Sequence, residues 1–485
     1  MRFSKILLIN PSYAHYKLYD PCIPVSLGYI AQALSDDNID YDLIDMSLGY
    51  DQFTLKSKIK KFKPDLIGIT MYTLLYKKIY EFIKYIKKTA PLAKIVVGGP
   101  HASTLREEVL KECNTIDYAV VLAGEEVIVE LCRDKALADI KGLIYREGEN
   151  ILFNGTRPLP ENLDTYSFPR YKKFELKKYW FTKYVPMLIV SSRGCPYRCT
   201  FCISRPSGGY EFHARRASNV VDEIQYWHNQ GRFVFDFVDD NFTLDKERVY
   251  LICDEIKKRS LDKLQYRLTN GIRADNVDRE ILERMKKVGF RSLAFGVESG
   301  SDKILKSIKK GETISQINEA VRDACDLGYD VGLYFLVGSP YETWDDLNAS
   351  FDFALKYPIY EAVFFNIIPI PNTELYEWIK KNNLFIYPPQ HYLNESQIVD
   401  KRPVFQTSEL PLRERKRALL CANSISKRIK KRYYQALLSK YGIFGKLFSV
   451  FATSDFVRKR LMYIPILKKS LRITKRLLIS KDKFT

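Results

Sequence analysis

The sequence of 485 residues is long enough for two or three domains, and its hydrophobic content of 46% is that of an ordinary globular chain. No apolar run approaches the ~20 residues that cross a bilayer, and the N-terminal apolar run falls short of the roughly 7–15 of a secretory leader, so neither is expected and the location expected is cytoplasmic. The formal charge of +19 is concentrated: residues 411–485 hold 21 Lys and Arg against three acids, which leaves the first 410 residues close to neutral.

Residues 1–140 alternate short β-rich runs with amphipathic segments. The runs are KILLIN (5–10), YDLID (41–45), DLIGIT (65–70), KIVVGG (94–99) and DYAVVL (117–122). LKSKIKKF (55–62) and KKIYEFIKYIKK (77–88) lie among the segments between them. Continuous apolar strands separated by helices predict a doubly wound (flavodoxin-like) parallel sheet covered on both faces, with its ligand beyond the carboxyl ends of the strands. Those ends carry Asn10-Pro11, Asp45, Thr70-Met71-Tyr72, Gly98-Gly99-Pro100-His101 and Gly124. No Gly-x-Gly-x-x-Gly follows the first strand and no Gly-Lys-Ser/Thr loop is present, so nicotinamide and nucleoside triphosphate have little support as ligands. Residues 141–185 read as a hairpin, GLIYREGENILFNG, turning near Gly148 and Asn150, and then a Pro-rich linker, RPLPENLDTYSFP.

Periodicity restarts over residues 186–385. Strand-like runs at 187–191, 233–238, 265–269, 292–297, 331–337 and 361–368 alternate with helical patterns such as 277–288 and 314–327. This α/β pattern predicts a partial (β/α)6 TIM-type barrel, whose working residues sit at the carboxyl ends of its strands. GCPYRCTFC (194–202) stands directly after the first of those strands, MLIVSS. The six other cysteines, Cys22, Cys113, Cys132, Cys253, Cys325 and Cys421, are scattered and read mostly as small buried hydrophobes. Three clustered thiols in a reducing compartment suggest zinc or an iron–sulfur cluster. A structural zinc site closes with four protein ligands, and here no second Cys pair and no His-x3-His follows, so zinc would need a distant fourth ligand. Three cysteines within the stretch 195–202 suit three irons of a [4Fe–4S] cluster, the fourth iron staying open to a non-protein ligand.

Residues 386–485 read as a basic helical C-terminal region. The stretch 426–481 mixes basic clusters with Leu, Ile, Phe and Tyr. Such helices lie on anionic membranes, bind nucleic acid, or pack an apolar face on the neighbouring domain. Phe444, Leu447, Phe448 and Phe451 favour membrane or packing. Nucleic acid is not expected as a partner, and peripheral contact with the inner face of the membrane is.

Cys195-x3-Cys199-x2-Cys202, with Phe201 before the last cysteine, resembles the signature of the radical S-adenosylmethionine (SAM) superfamily. The resemblance implies that these cysteines hold the cluster and that the open iron takes the methionine end of SAM. Reductive cleavage would then give a 5′-deoxyadenosyl radical, with the electron from a donor such as flavodoxin or ferredoxin. Asp239, Asp240 and Asn241 in FVDDNFT match the family's polar group near the SAM methionine moiety. Arg273 in NGIRAD and Glu298 in FGVESGSDKIL stand where the family contacts SAM. KKGET follows. Gly338 and Pro340 in FLVGSPYET resemble the stretch that flanks adenine, and Asn372 in IIPIPNTELY stands where the family more often has Gly.

A doubly wound domain ahead of this barrel resembles the cobalamin-binding, class B radical SAM methyltransferases, through PVSLGYIAQAL (24–34), YDLIDM (41–46), DLIGIT and VVGGPHAS (96–103). It implies cobalamin as a cofactor, near Thr70, Tyr72, Gly98, Gly99, His101 and Gly124. The Asp-x-His-x-x-Gly motif is absent after the first strand, as is common in this group. LAGEE (122–126) replaces the frequent Gly-Glu-Gly-Glu, matching at Gly124 and Glu125 only. Two plainer readings stand beside it: His101 as a turn histidine, and a sheet domain that binds nothing. The function implied is C-methylation of an unactivated carbon in a small-molecule or lipid-like substrate. A radical cyclase or rearrangement enzyme, a radical RNA-modifying enzyme, and a non-catalytic cobalamin or Fe–S sensor are the alternatives.

Overall fold

A computed structural model describes residues 1–12, 22–179, 183–395, 402–439 and 442. The chain forms two compact units. Among the described residues, one is drawn from 1–179, 192–216 and 368–395, and the other from 183–191, 217–367 and 402–439.

The first unit is built on a seven-stranded sheet of order β2-β1-β3-β4-β5-β6-β7. Its strands are β1 (Lys5–Asn10), β2 (Asp40–Asp45), β3 (Leu66–Thr70), β4 (Lys94–Gly98), β5 (Tyr118–Val120), β6 (Leu143–Glu147) and β7 (Asn150–Phe153). The first five are parallel, and β6 and β7 continue the sheet antiparallel. The order reverses direction at β1, so right-handed crossovers place helices on both faces. That is why Ile6, Leu7, Leu8 and Ile9 are all buried rather than alternating. The predicted hairpin is present and extends this sheet. Gly148 sits at φ +61°, the left-handed backbone a tight hairpin turn favours.

The second unit holds six parallel strands in the order β15-β14-β13-β12-β11-β8. They are β8 (Met187–Ile189), β11 (Val234–Phe237), β12 (Gln265–Ile272), β13 (Phe290–Glu298), β14 (Asp330–Val337) and β15 (Glu361–Asn366). A constant direction of travel with right-handed crossovers puts every helix on one side and curls the sheet into a partial barrel. Alternate residues face the helices: Phe335 stacks on Phe364 at 4.6 Å, and Phe364 meets Phe351 of the helix Trp344–Lys356. The intervening residues form a polar inner ladder. The Tyr334 hydroxyl donates to the Thr269 carbonyl (2.7 Å), and the Thr269 hydroxyl donates to Asp236 (2.6 Å).

The helix Leu412–Leu437 packs along β15, and its Ala418 and Ala422 share a core with Val337, Leu347 and Phe351. This part of the basic region therefore packs on the barrel. Phe444, Leu447, Phe448 and Phe451 lie outside the described residues. No described helix is long and apolar enough to cross a membrane.

Candidate functional site

The cysteines lie on a loop pinched at its base. Strand β9 (Ser192–Arg193) pairs antiparallel with β10 (His213–Ala214), and the chain between them carries Cys195, Cys199 and Cys202. Gly194 closes the pinch at φ +80°. A Cβ there would lie 2.0 Å from the Glu211 carbonyl oxygen, so only glycine fits. Within the loop the Cys202 N–H donates to the Cys199 carbonyl (3.2 Å), and the Ser204 N–H points at the Cys202 sulfur (3.4 Å). Leu375 N–H, opening the helix Glu374–Lys381, donates to the Thr200 carbonyl at 2.9 Å and braces the loop from behind. All three cysteines, and Phe201 between them, are half-buried, so the thiols remain reachable.

Three soft thiol donors on one braced loop fit an iron–sulfur cluster bound by three cysteines. Among the described residues, no three His, Cys, Asp or Glu side chains converge closely enough to hold a single metal ion. A cluster does not require such convergence, because each cysteine ligates a different iron. The donor set therefore fits a cluster better than it fits zinc.

The same unit contains the residues expected around cobalamin. Thr70 and Gly98 end β3 and β4 as register partners. Gly99 has φ +107°, and a Cβ would meet the Met71 carbonyl oxygen at 2.8 Å. Gly124 caps the helix Glu125–Cys132, and Tyr72 is 45% exposed. His101 differs from the rest. It is fully enclosed, stacked on Tyr76 at 4.8 Å, with Nε2 3.0 Å from the Tyr80 hydroxyl. Burial pushes it down to about 3, so it is neutral and belongs to the core that supports the strand ends. Apart from that core histidine, Thr73 Oγ1 and Thr104 Oγ1 are buried without a hydrogen-bond partner among the described residues. Unsatisfied polar atoms concentrated at this end of the sheet fit a polar ligand placed there. The helix Pro100–Leu105 also packs against the turn Ser204–Gly208 that follows the cysteines.

The residues expected around SAM belong to the second unit. Asp239 is buried and bonded to the N–H and hydroxyl of Ser191, with Arg248 3.7 Å away. Asp240 is exposed. Asn241 is buried, and its Nδ2 has no hydrogen-bond partner among the described residues. Arg273 is clamped by Asp275 (2.6 and 2.9 Å) and by the Lys310 carbonyl (2.7 Å). Lys310 joins Glu298 (3.2 Å) to Glu312 (3.3 Å), and Glu312 accepts from the Ala274 N–H (2.6 Å). Glu298 has φ +63°, a conformation costly for a residue with a Cβ. An acidic residue on a strained backbone, its carboxylate pinned by a buried lysine at a strand end, suits a residue held to meet a ligand amine. Lys310 and Glu312 were visible in KKGET, but nothing in the sequence showed that they would be buried against Glu298 and Arg273.

Gly338 (φ +93°) lies under Arg415, whose Cζ would be 2.0 Å from an added Cβ. Arg415 comes from the helix Leu412–Leu437, lies 3.8 Å over the Phe405 ring and donates to the Phe405 carbonyl (3.1 Å). Glu342 accepts from the Gly338 and Ser339 N–H groups (2.5 and 3.2 Å). Burial raises Glu342 to about 7 and lowers Arg415 to about 9. Within a basic tail, one fully buried arginine has no distinguishing sequence signal.

Two family models match the chain: the radical SAM superfamily over residues 189–354 and the B12 binding domain over residues 16–132. An uncharacterized methyltransferase of Pyrococcus horikoshii is 32% identical over 395 residues, 80% of this chain and 85% of that protein. An anaerobic magnesium-protoporphyrin IX monomethyl ester cyclase of Cereibacter sphaeroides is 25% identical, over 78% of this chain and 64% of its own. The cobalamin-dependent SAM radical enzyme OxsB, solved with aqua-cobalamin bound, superposes with a TM-score of 0.73 at 19% identity, covering 98% of this chain and 76% of that one.

Proposed function

The chain belongs to the radical SAM superfamily, in the cobalamin-dependent group that joins a B12-binding domain to the radical SAM domain, and we propose that it transfers a methyl group to an unactivated carbon of a small molecule. The observation that carries this reading is the packing, within one unit, of the cysteine loop against the carboxyl end of the doubly wound sheet. A [4Fe–4S] cluster, SAM and cobalamin, when bound, supply one-electron cleavage of SAM to a 5′-deoxyadenosyl radical together with a transferable methyl group.

The chain's own residues bind and orient. Cys195, Cys199 and Cys202 would hold three irons, and the Ser204 N–H donates to the Cys202 sulfur. Asp239 fixes the ends of β8 and β11, while Lys310 fixes the Glu298 carboxylate, which would meet the SAM amine. Thr70, Tyr72, Gly98, Gly99 and Gly124 would border the corrinoid, with His101 supporting them from the core. The methyltransferase relative supports methylation. The cyclase relative supports a second reading, ring closure with the same cofactors. A lipid-like substrate, met at a membrane surface by the basic run 426–481, and a flavodoxin- or ferredoxin-type electron donor complete the proposal. Most of that basic run lies outside the described residues.

Anaerobic reconstitution with iron, sulfide and a corrinoid, followed by SAM and reductant, tests it. Methylation requires S-adenosylhomocysteine beside 5′-deoxyadenosine, and C199A should form no 5′-deoxyadenosine. A protein that forms 5′-deoxyadenosine without S-adenosylhomocysteine favours the cyclase reading, and one that takes up no corrinoid overturns both.

A further inference from the structure

Arg193 ends β9, two residues before Cys195, and Glu125 opens the helix Glu125–Cys132 directly after Gly124. The Arg193 guanidinium lies 2.6 Å from Glu125 Oε1. It is flanked by the rings of Tyr29 at 4.8 Å and Tyr166 at 5.3 Å, so cation–π contacts hold it from two sides. Glu125 is 6% exposed at its side chain and Arg193 20%. Screening by water is therefore weak, and each charge depends on the other.

We propose that Glu125 and Arg193 are a positioning pair. It locks the base of the cysteine loop to the helix that begins at the cobalamin-binding end of the sheet, and it sets the local charge beside Cys195. Three features of the geometry support the assignment. The β9–β10 ladder makes Arg193 part of the loop's paired base. Gly194 leaves no slack between Arg193 and Cys195, because its Cβ position is already filled by the Glu211 carbonyl. Glu125 sits in a first helical turn, where a carboxylate is favoured by the unpaired N–H groups and is held rigidly. The pair thus ties the first iron ligand to the corrinoid end of the sheet through one charge-assisted bond. The inference rests on the cluster reading proposed above.

The two charges act on a cluster in opposite senses. A cluster gains negative charge on reduction, so an uncompensated cation nearby favours the reduced form and an uncompensated anion disfavours it. The test uses full-length E125Q, R193Q and R193K, reconstituted anaerobically. Iron content, melting temperature and an EPR-monitored reductive titration are read for each. E125Q should keep its iron and shift the midpoint potential upward. R193Q should shift it downward and bind less iron, and R193K should return toward the parent. If R193Q holds no cluster yet melts like the parent, the positioning role stands, and the upward shift in E125Q decides the charge role. Shifts of the same sign in E125Q and R193Q, no shift in either, or parallel loss of iron and melting temperature in all three variants would overturn the proposal. Failure of the parent itself to take up four irons counts against the cluster reading instead, so the two failures are told apart.

Discussion

Asp239 accepts two hydrogen bonds from a single residue, Ser191: one from its N–H at 2.7 Å and one from its hydroxyl. Arg248 stands 3.7 Å from the same carboxylate and donates to the Ser191 hydroxyl at 3.1 Å. The three side chains fasten the end of β11 to the end of β8, the last residues before the chain enters the cysteine loop. D239N preserves the shape but leaves Arg248 without its anion. It should lower stability by about 1–3 kcal/mol and weaken SAM binding. Calorimetric melting and equilibrium binding of SAM check both effects, and unchanged values would show that Asp239 is dispensable.

Lys310 is the cation between two acids, Glu298 and Glu312. K310M leaves Glu298 without that partner and should cost roughly 3–5 kcal/mol, the usual penalty for breaking a buried pair. K310R should recover much of it. If Glu298 meets SAM, the loss of SAM affinity in K310M should exceed any loss of corrinoid affinity. Equal losses would mean a general collapse.

G194A confronts a left-handed backbone and an occupied Cβ position together. The backbone alone costs on the order of 1–2 kcal/mol, and the clash adds to it. Because the strain is local to the loop base, iron uptake should fall much further than the melting temperature. The contrast with G148A is informative: Gly148 also has positive φ, but an added Cβ meets nothing within 4 Å, so only the melting temperature should move.

Glu342 supplies a pH signature. Burial raises it to about 7 from 4.5, against the pull of the Gly338 N–H and of Arg415. Between those two values the folded chain binds a proton that the unfolded chain does not. The contribution is therefore complete below about pH 4.5 and is lost as pH rises through 7. A shift of this size corresponds to roughly 3 kcal/mol. The stability of the parent relative to E342Q should fall between pH 5 and pH 8, as read by melting in matched buffers. A difference independent of pH would show that Glu342 does not titrate there.

Asn372 occupies φ +65°, the backbone region where glycine is at home and asparagine is tolerated. Its side-chain amide also donates to the Thr104 carbonyl. This explains how the chain departs from glycine at this position. N372G should be nearly neutral, losing only that bond, whereas N372V should cost about 2 kcal/mol or more. Melting temperatures of the pair provide the check.

Much of this architecture was legible because it follows from short-range rules. Apolar runs bounded by Gly, Pro and Asn gave β1 to β5 and the six barrel strands to within two or three residues. Strand ends shifted where partners supply register, as at Phe290, which begins β13 two residues before the apolar run at 292. The three cysteines stood out because their spacing is itself chemistry, and the fold keeps them on one loop pinched at its base. The supporting charges did not stand out. Arg193, Arg248, Lys310 and Arg415 are basic residues in ordinary-looking contexts, and only tertiary packing separates a buried guanidinium from a solvated one. Arg415 is the clearest case, since it lies in the most basic stretch of the sequence and is nonetheless fully buried. His101 shows the converse: its place at a strand end suggested a ligand contact, and its position between Tyr76 and Tyr80 gives it a core role.

The hydrogen bonds from Leu375 to Thr200, from Leu75 to Leu393 and from Lys77 to Asn394 bind early sequence to late sequence. A ribosome delivers the sheet of the first unit hundreds of residues before it delivers the segment 368–395 that braces the cysteine loop. The brace on the cysteine loop can therefore form only after the whole barrel sequence has emerged. A chain that ended before residue 368 would lack the Leu375 N–H that braces the cysteine loop at Thr200 in the finished protein.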